Sequence, residues 1–295
     1  MTRRRAGLAI ESLAALEAAG EKRDLAEVII ESDCRERGAT REDSLTRMHV
    51  LYAAIRRAKE SYDPALRSAS GMVGGDGAKM REYVAAGKTI CGDYIGQVIA
   101  QALEMGESNA CMKCIVAAPT AGSCGVLPAV LLPYQKRTGL DDEAMVRAMY
   151  VAGAIGQVIA QKASIAGAAG GCQAEIGTAS AMGAAALCYL GGGGAQAVCH
   201  AAAMAIKSLL GLVCDPIAGL VEVPCVKRNA AGAMIAMCSA DMALAGIRSA
   251  VPPDEVISAM REVGDKMDVS LRETGVGGVA GTPFGQAVAE KMMGK

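Results

Sequence analysis

Residues 176–206 read IGTASAMGAAALCYLGGGGAQAVCHAAAMAI, a run of 31 positions without Asp, Glu, Lys or Arg. The run exceeds the ~20 helical residues that cross a bilayer. Its composition argues against insertion, because it is mostly Ala and Gly with Ser180, Gln196 and His200, and Gly191–Gly194 breaks any single helix at the middle. The stretch therefore predicts two helices buried inside a soluble helical protein, with no membrane partner.

The rest of the chain agrees. Of 295 residues, 93 are Ala or Gly, 52% are hydrophobic and 21% are charged, which excludes a disordered chain and implies close approach of backbones. With no Trp, one Phe and seven Tyr, the core must be built from aliphatic residues and 17 Met. Few rings are left on which bases stack, and a net charge of -1 provides no basic face, so nucleic acid is excluded as a partner.

Residues 1–60 read as amphipathic, solvated helices. Leu8, Leu13 and Leu16 share one face, Leu25, Val28 and Ile29 a second, and Leu45, Met48, Tyr52 and Ile55 a third, which Thr40 and Asp43 open as a capping box. From Ser61 the composition shifts. Ser68–Gly77 is a Gly/Ser loop, with predicted helices near 78–86 and 93–105 behind it, and a second loop, Ala118–Gly125, leads into a helix from Leu127 or Pro128. Helix starts beside such loops present unpaired N–H groups to anions. Apolar helices follow at about 141–162, 178–190, 195–210, 229–247 and 252–272, the last opened by Pro252-Pro253-Asp254-Glu255. Val221-Glu222-Val223 is short and no βαβ rhythm exists, so the fold class is predominantly α. It forms one compact multi-helix domain over 1–295, with 1–60 an N-terminal helical part and 61–295 the part that carries the loops. Gly275–Gly285 reads either as a loose tail or as a site lining.

Several motifs fail their usual readings. Cys111-Met112-Lys113-Cys114 is an isolated CxxC; with no second CxxC and only His49 and His200, no zinc finger closes, and a thioredoxin-like pair needs a βαβ setting. Gly191–Gly194 runs into Ala195-Gln196, not the Gly-Lys-Ser/Thr of a Walker loop. Gly74-Gly75-Asp76-Gly77 has no strand before it. Two histidines offer little to a Ser-His-Asp hydrolase, although both stay open as bases.

Eleven cysteines remain to be explained. Met1–Arg5 lacks the apolar run of a secretory signal, so the expected location is the reducing cytoplasm, with the cysteines as thiols, ligands or small core residues. Three sit among turn-formers and charges: Cys172 in GGCQAE, Cys214 in VCDP and Cys225 in VPCVKRN. Three thiolates suit a four-iron cluster in which each takes one iron, leaving the fourth open as a Lewis acid. Their spacings of 42 and 11 residues match no local ferredoxin cassette, and core cysteines remain the other reading.

At these residues the sequence closely resembles the α subunit of the two-subunit, iron–sulfur-dependent bacterial L-serine dehydratases. The resemblance is carried by SASGMVGGDGAKM at 68–80, ESNACMKCIVAAPTAGSCGVLPAVLL at 107–132, KASIAGAAGGCQAEIGTASAM at 162–182 and LGLVCDPIAGLVEVPCVKRNA at 210–230. It implies Cys172, Cys214 and Cys225 as ligands of a [4Fe-4S] cluster on which the Gly-rich loops converge, with L-serine as substrate and no pyridoxal phosphate. Single-chain members carry an extra regulatory or dimerising domain for which this chain lacks the length, so a separate β subunit and a hetero-oligomer are implied.

The implied activity is that of an ammonia-lyase converting L-serine to pyruvate and ammonia. Lys162, Glu175 and Asp215, charged residues beside the matched motifs, are the candidate bases. Ser70, Asn109, Thr120, Ser123, Arg228 and Asn229 are the candidate substrate-binding residues, and each of these side chains also suits a helix cap, an ion pair or a support for the cluster. Two other readings stand beside this one: a lyase of the same type acting on threonine or cysteine, and a non-enzymatic helical protein with core cysteines.

Overall fold

The computed structural model describes residues 10–294; Leu8 and the Met1–Arg5 start lie outside the described residues. Three helices, α1 (Leu13–Gly20), α2 (Leu25–Arg37) and α3 (Arg41–Glu60), precede α4 (Asp76–Ala85), α5 (Gly92–Ala110), α6 (Val126–Thr138) and α7 (Asp142–Lys162). A single turn, α8 (Gly167–Gly170), and a π-helical turn over Gln173–Gly177 run into α9 (Thr178–Leu190). Then come α10 (Ala195–Lys207), α11 (Cys225–Leu244), α12 (Pro253–Lys266) and α13 (Pro283–Met292). No strand occurs among the described residues; extended pairing is limited to one parallel bridge between Cys214 and Arg272. The predominantly α class expected from the sequence is the observed one.

The axis of the fold is α9. Every residue from Thr178 to Cys188 is buried, and α6, α7, α10 and α11 pack around it. Small residues make that possible. A Cβ on Gly232 of α11 would stand 2.8 Å from Ile176 Cγ2 and 2.9 Å from Ser180 Oγ, and one on Gly156 of α7 would stand 2.9 Å from Met182 Sδ. Larger side chains would hold these helices apart and lose the dispersion contacts of a close-packed core. The charge-free run is thus two buried helices joined by the Gly191–Gly194 turn, where Gly192 takes a φ of 86°. No helix among the described residues is long and apolar enough to cross a membrane.

The N-terminal helices show one solvated face, and the other joins the main core. Leu13, Leu16, Ile30, Tyr52 and Ile55 are fully buried in the same cluster as α7, α9 and α10. The expected N-cap at Thr40 is present, its Oγ1 accepting the Asp43 N–H at 3.1 Å, but the Asp43 carboxylate accepts the Thr40 hydroxyl at 2.7 Å in place of the backbone N–H that a full capping box requires; Asp24 and Asp141 cap α2 and α7 with their side chains in the same way. Each such cap is worth ~1 kcal/mol.

Three helix ends differ from expectation by four residues or more. Helix α5 continues past 105 to Ala110, α11 begins at Cys225, directly after Pro224, rather than at 229, and α12 stops at Lys266, short of 272. Beyond Lys266 the chain turns back across the Cys214 segment, a long-range pairing that carries no local periodicity. Asp254 also does more than favour its own helix dipole. Its carboxylate accepts the N–H groups of Leu13 at 3.0 Å and Ala14 at 2.9 Å, so α12 caps α1.

Candidate active site

Cys172, Cys214 and Cys225 are brought into one buried neighbourhood by three different local devices. Cys172 follows Gly171, whose φ of 75° favours glycine and whose Cβ would meet Leu212 O at 2.9 Å. The next N–H, that of Gln173, donates to the same Leu212 carbonyl at 2.9 Å, tying the first cysteine segment to the second. Cys214 is gripped by the C-terminal tail: its N–H donates to Leu271 O at 2.8 Å, and its carbonyl accepts the Glu273 N–H at 2.6 Å. Cys225 is the first residue of α11. All three are buried. Burial pushes the thiols up, Cys172 to about 11 and Cys225 to about 12, and the charges of Cys172 and Cys225 add to the rise at Cys214. The Arg228 guanidinium opposes it at Cys172.

A carboxylate completes the group. Glu175, in the π-helical turn, accepts Thr120 Oγ1–H at 2.7 Å on Oε1, while its Oε2 lies 3.9 Å from Cys214 Sγ. Burial raises its pKa, and the nearby Glu273 carboxylate raises it further. Thr120 and Ser123 form a capping box on the Ala121–Ser123 turn, with their hydroxyls 3.1 Å apart. Gly167 closes the other side. A Cβ there would stand 2.8 Å from Cys214 Sγ, 2.9 Å from Glu175 Oε2 and 3.2 Å from Glu273 Oε2. Thr120, Ser123, Glu175 and the cysteines are therefore one assembly.

Asp215, Arg228 and Asn229 border that assembly with their polar atoms already engaged. Asp215 is buried; its Oδ1 meets Arg228 Nη2 at 2.8 Å and its Oδ2 accepts the Val279 N–H at 2.8 Å. Arg228 also donates to Val213 O at 2.8 Å. Asn229 accepts from Gly125 N–H at 2.8 Å and donates to Gly122 O at 2.9 Å and Cys225 O at 3.0 Å, so its whole amide fastens the Gly122–Gly125 turn to α11.

The other candidates lie apart from the cysteines or are spoken for. The Lys162 ammonium pairs with Asp254 at 3.1 Å. Ser70 donates its hydroxyl to Glu222, which also accepts Ser68 Oγ–H at 2.6 Å. Asn109 sits half-buried near the end of α5. His49 Nε2 faces Glu143 at 3.2 Å, and His200 Nδ1 accepts the Ser249 N–H at 3.1 Å, so neither histidine joins the site. Glu222, Glu273 and Gly167 were missed by sequence reasoning. Glu222 had a signal, an acid between valines three residues before Cys225; Glu273 and Gly167 had none. Within the Gly275–Gly285 tail, Gly278 packs on Asp215 and Gly275 on the Pro216–Gly219 turn, so these two positions are held against the protein.

The fold and site define a class: a helical protein whose glycine-rich turns gather three buried cysteines and a half-buried glutamate. A family model described as serine dehydratase alpha chain matches residues 20–280, and the chain belongs to that family. It is 46% identical over 274 residues to the probable L-serine dehydratase alpha chain of Bacillus subtilis, covering 92% of this chain and 90% of that one. It is 53% identical over 203 residues to the corresponding probable alpha chain of Latilactobacillus sakei (69% and 97% covered). To the L-serine dehydratase alpha chain of Peptoniphilus asaccharolyticus it is 50% identical over 217 residues, 74% of each chain.

Proposed function

We propose that this chain is the catalytic α subunit of an iron–sulfur-dependent L-serine ammonia-lyase that works with a separate β chain in the cytoplasm. Family membership and the alpha-chain names of the relatives support the activity and the partner. The observation that carries the cofactor is the convergence of Cys172, Cys214 and Cys225 from three segments. The donor set fits a [4Fe-4S] cluster. Gly167 leaves room beside the Cys214 sulfur that a side chain would fill.

When bound through three cysteines, the cluster supplies one open iron, a Lewis acid toward the serine hydroxyl as leaving group. Glu175 is the base for the α-proton. It stands beside Cys214, its carboxylate is aimed by Thr120, and burial moves its pKa toward the range in which a carboxylate takes up a proton. Asp215 and Lys162 are held in ion pairs and act as supports. The Thr120–Gly125 turn, with Ser123, receives the substrate's polar groups. Loss of the α-proton and of the hydroxyl leaves aminoacrylate, which hydrolyses to pyruvate and ammonia without pyridoxal phosphate. The division into an N-terminal helical part, 1–60, and a cluster- and substrate-binding part, 61–295, completes the reading.

Anaerobic reconstitution with iron and sulfide tests it. The expected result is a brown, oxygen-sensitive protein that forms pyruvate from L-serine once the β chain is added, faster than it turns over threonine or cysteine. A colourless product, or colour that survives replacement of Cys172, Cys214 and Cys225 by Ser, overturns the cluster assignment. Full activity of Glu175→Gln overturns the base.

A further inference from the structure

The Gly/Ser loop at Ser68–Gly75 and the Cys225 segment are joined by a buried carboxylate that the reaction scheme does not use. Glu222 is 4% exposed and lies three residues ahead of Cys225. Its Oε2 accepts the hydroxyls of both Ser68, at 2.6 Å, and Ser70, and its Oε1 accepts the Ser70 N–H at 3.4 Å. Each serine oxygen in turn accepts a loop N–H: Val73 to Ser68 Oγ at 3.2 Å, and Met72 to Ser70 Oγ at 3.1 Å. Glu222 thereby fixes two hydroxyls, and the hydroxyls fix the backbone of the loop.

Around this centre the same two segments meet again. Val73 packs with Val226 and Val223, on either side of Cys225. Lys227 Nζ reaches Asp76 Oδ2 at 3.2 Å. The far end of the loop is held by a second buried acid, Glu107, which accepts the Asp76 N–H at 2.6 Å, the Gly77 N–H at 3.2 Å and Tyr62 Oη–H at 2.6 Å. No cation pairs with Glu222 among the described residues. A buried carboxylate without a counter-charge is expensive, and an apolar residue of similar volume would cost less if stability were its only role. What the carboxylate provides is two charge-assisted O–H bonds that specify one loop conformation.

We propose that Glu222 is a positioning residue: it couples the Ser68–Gly75 loop to the cluster-bearing start of α11, so that the backbone of this loop, and not the Ser70 hydroxyl, is presented to the substrate. The substrate part of this inference rests on the serine dehydratase reading; the coupling does not.

Hydrogen exchange and steady-state kinetics on the reconstituted holoenzyme separate the two. In Glu222→Gln, which keeps the shape but replaces one acceptor by a donor, the loop peptide containing Met72 and Val73 is expected to exchange about tenfold faster, with iron content and visible spectrum unchanged. The KM for L-serine is expected to rise about tenfold while kcat changes far less. Ser68→Ala breaks the coupling from the other side, and its effect on loop exchange should not add to that of Glu222→Gln. Unchanged loop exchange in Glu222→Gln or, where that variant does not load iron, in Ser68→Ala overturns the coupling. Faster loop exchange with an unaltered KM overturns the substrate role. A wild-type holoenzyme inert toward L-serine overturns the dehydratase reading and leaves the exchange result to decide the coupling.

Discussion

Arg228 Nη2 lies 2.8 Å from Asp215 Oδ1, so the residue after the second cysteine is bound to the helix that begins at the third. The same guanidinium donates to Val213 O, the carbonyl on the other side of Cys214. One side chain thereby sets the position of Cys214 relative to Cys225 from both flanks.

Arg228→Ala should therefore destabilise strongly. Asp215 is almost fully buried, and removing its partner strands a charge, a loss of ~3–5 kcal/mol. Pairing the change with Asp215→Asn removes the stranded charge and should restore part of the loss. Urea unfolding of the three variants measures both effects. A single variant within about 1 kcal/mol of wild type would show that solvent reaches the pair.

Gly167→Ala probes the room beside Cys214. The added Cβ would stand 2.8 Å from Cys214 Sγ, closer than Cβ atoms stand in folded proteins, and 2.9 Å from Glu175 Oε2. Because α8 is a single turn at the edge of the core, the expected outcome is normal helicity with reduced iron retention and reduced serine turnover. Iron analysis after anaerobic reconstitution, set beside circular dichroism, checks it; undiminished iron binding would mean that Cys214 does not carry the cluster.

Asn229→Ala tests which of its two sequence readings, substrate ligand or support, Asn229 fulfils. The change leaves the Gly125 N–H and the Gly122 carbonyl without this partner in a buried place, a cost of roughly 2–4 kcal/mol, while the Cys225 carbonyl keeps its helical bond. Thermal unfolding should show a large loss before any effect specific to serine appears. A raised KM at unchanged stability would return Asn229 to the substrate.

The same residue illustrates what was legible in the sequence. Helices α3, α6, α7, α9 and α10 follow from apolar periodicity and local punctuation, such as the Thr40 cap and the Gly191–Gly194 turn, because both signals act within a few residues. The cysteines stood out because turn-formers and charges flank them. What their neighbours bind did not. Asn229 meets Gly122, Asp215 meets Val279, and Cys214 meets Leu271, across stretches of sequence with no common period. Ser70 sits in a matched loop, yet the acid that takes its hydroxyl lies 152 residues away. Long-range hydrogen bonds of this kind leave only a residue type at each end, and a residue type alone does not distinguish a support from a ligand.

Acid should weaken the tie between the N-terminal helices and α7 at Glu27. Its carboxylate accepts from Arg41 Nη2 at 2.9 Å and also from Arg147, and these bonds, that from Arg41 foremost, bring its pKa from the ordinary 4.5 down to about 2. Between those values the unfolded chain binds a proton that the folded chain does not, so stability rises with pH there. The contribution of Glu27 is fully present above pH 4.5 and is lost as pH falls through that value toward 2. Glu27→Gln removes the titrating group. Urea midpoints of wild type and variant should stand furthest apart at neutral pH and draw together below about pH 4. Parallel curves down to pH 3 would mean that the pair is solvated and contributes nothing measurable, as exposed ion pairs often do.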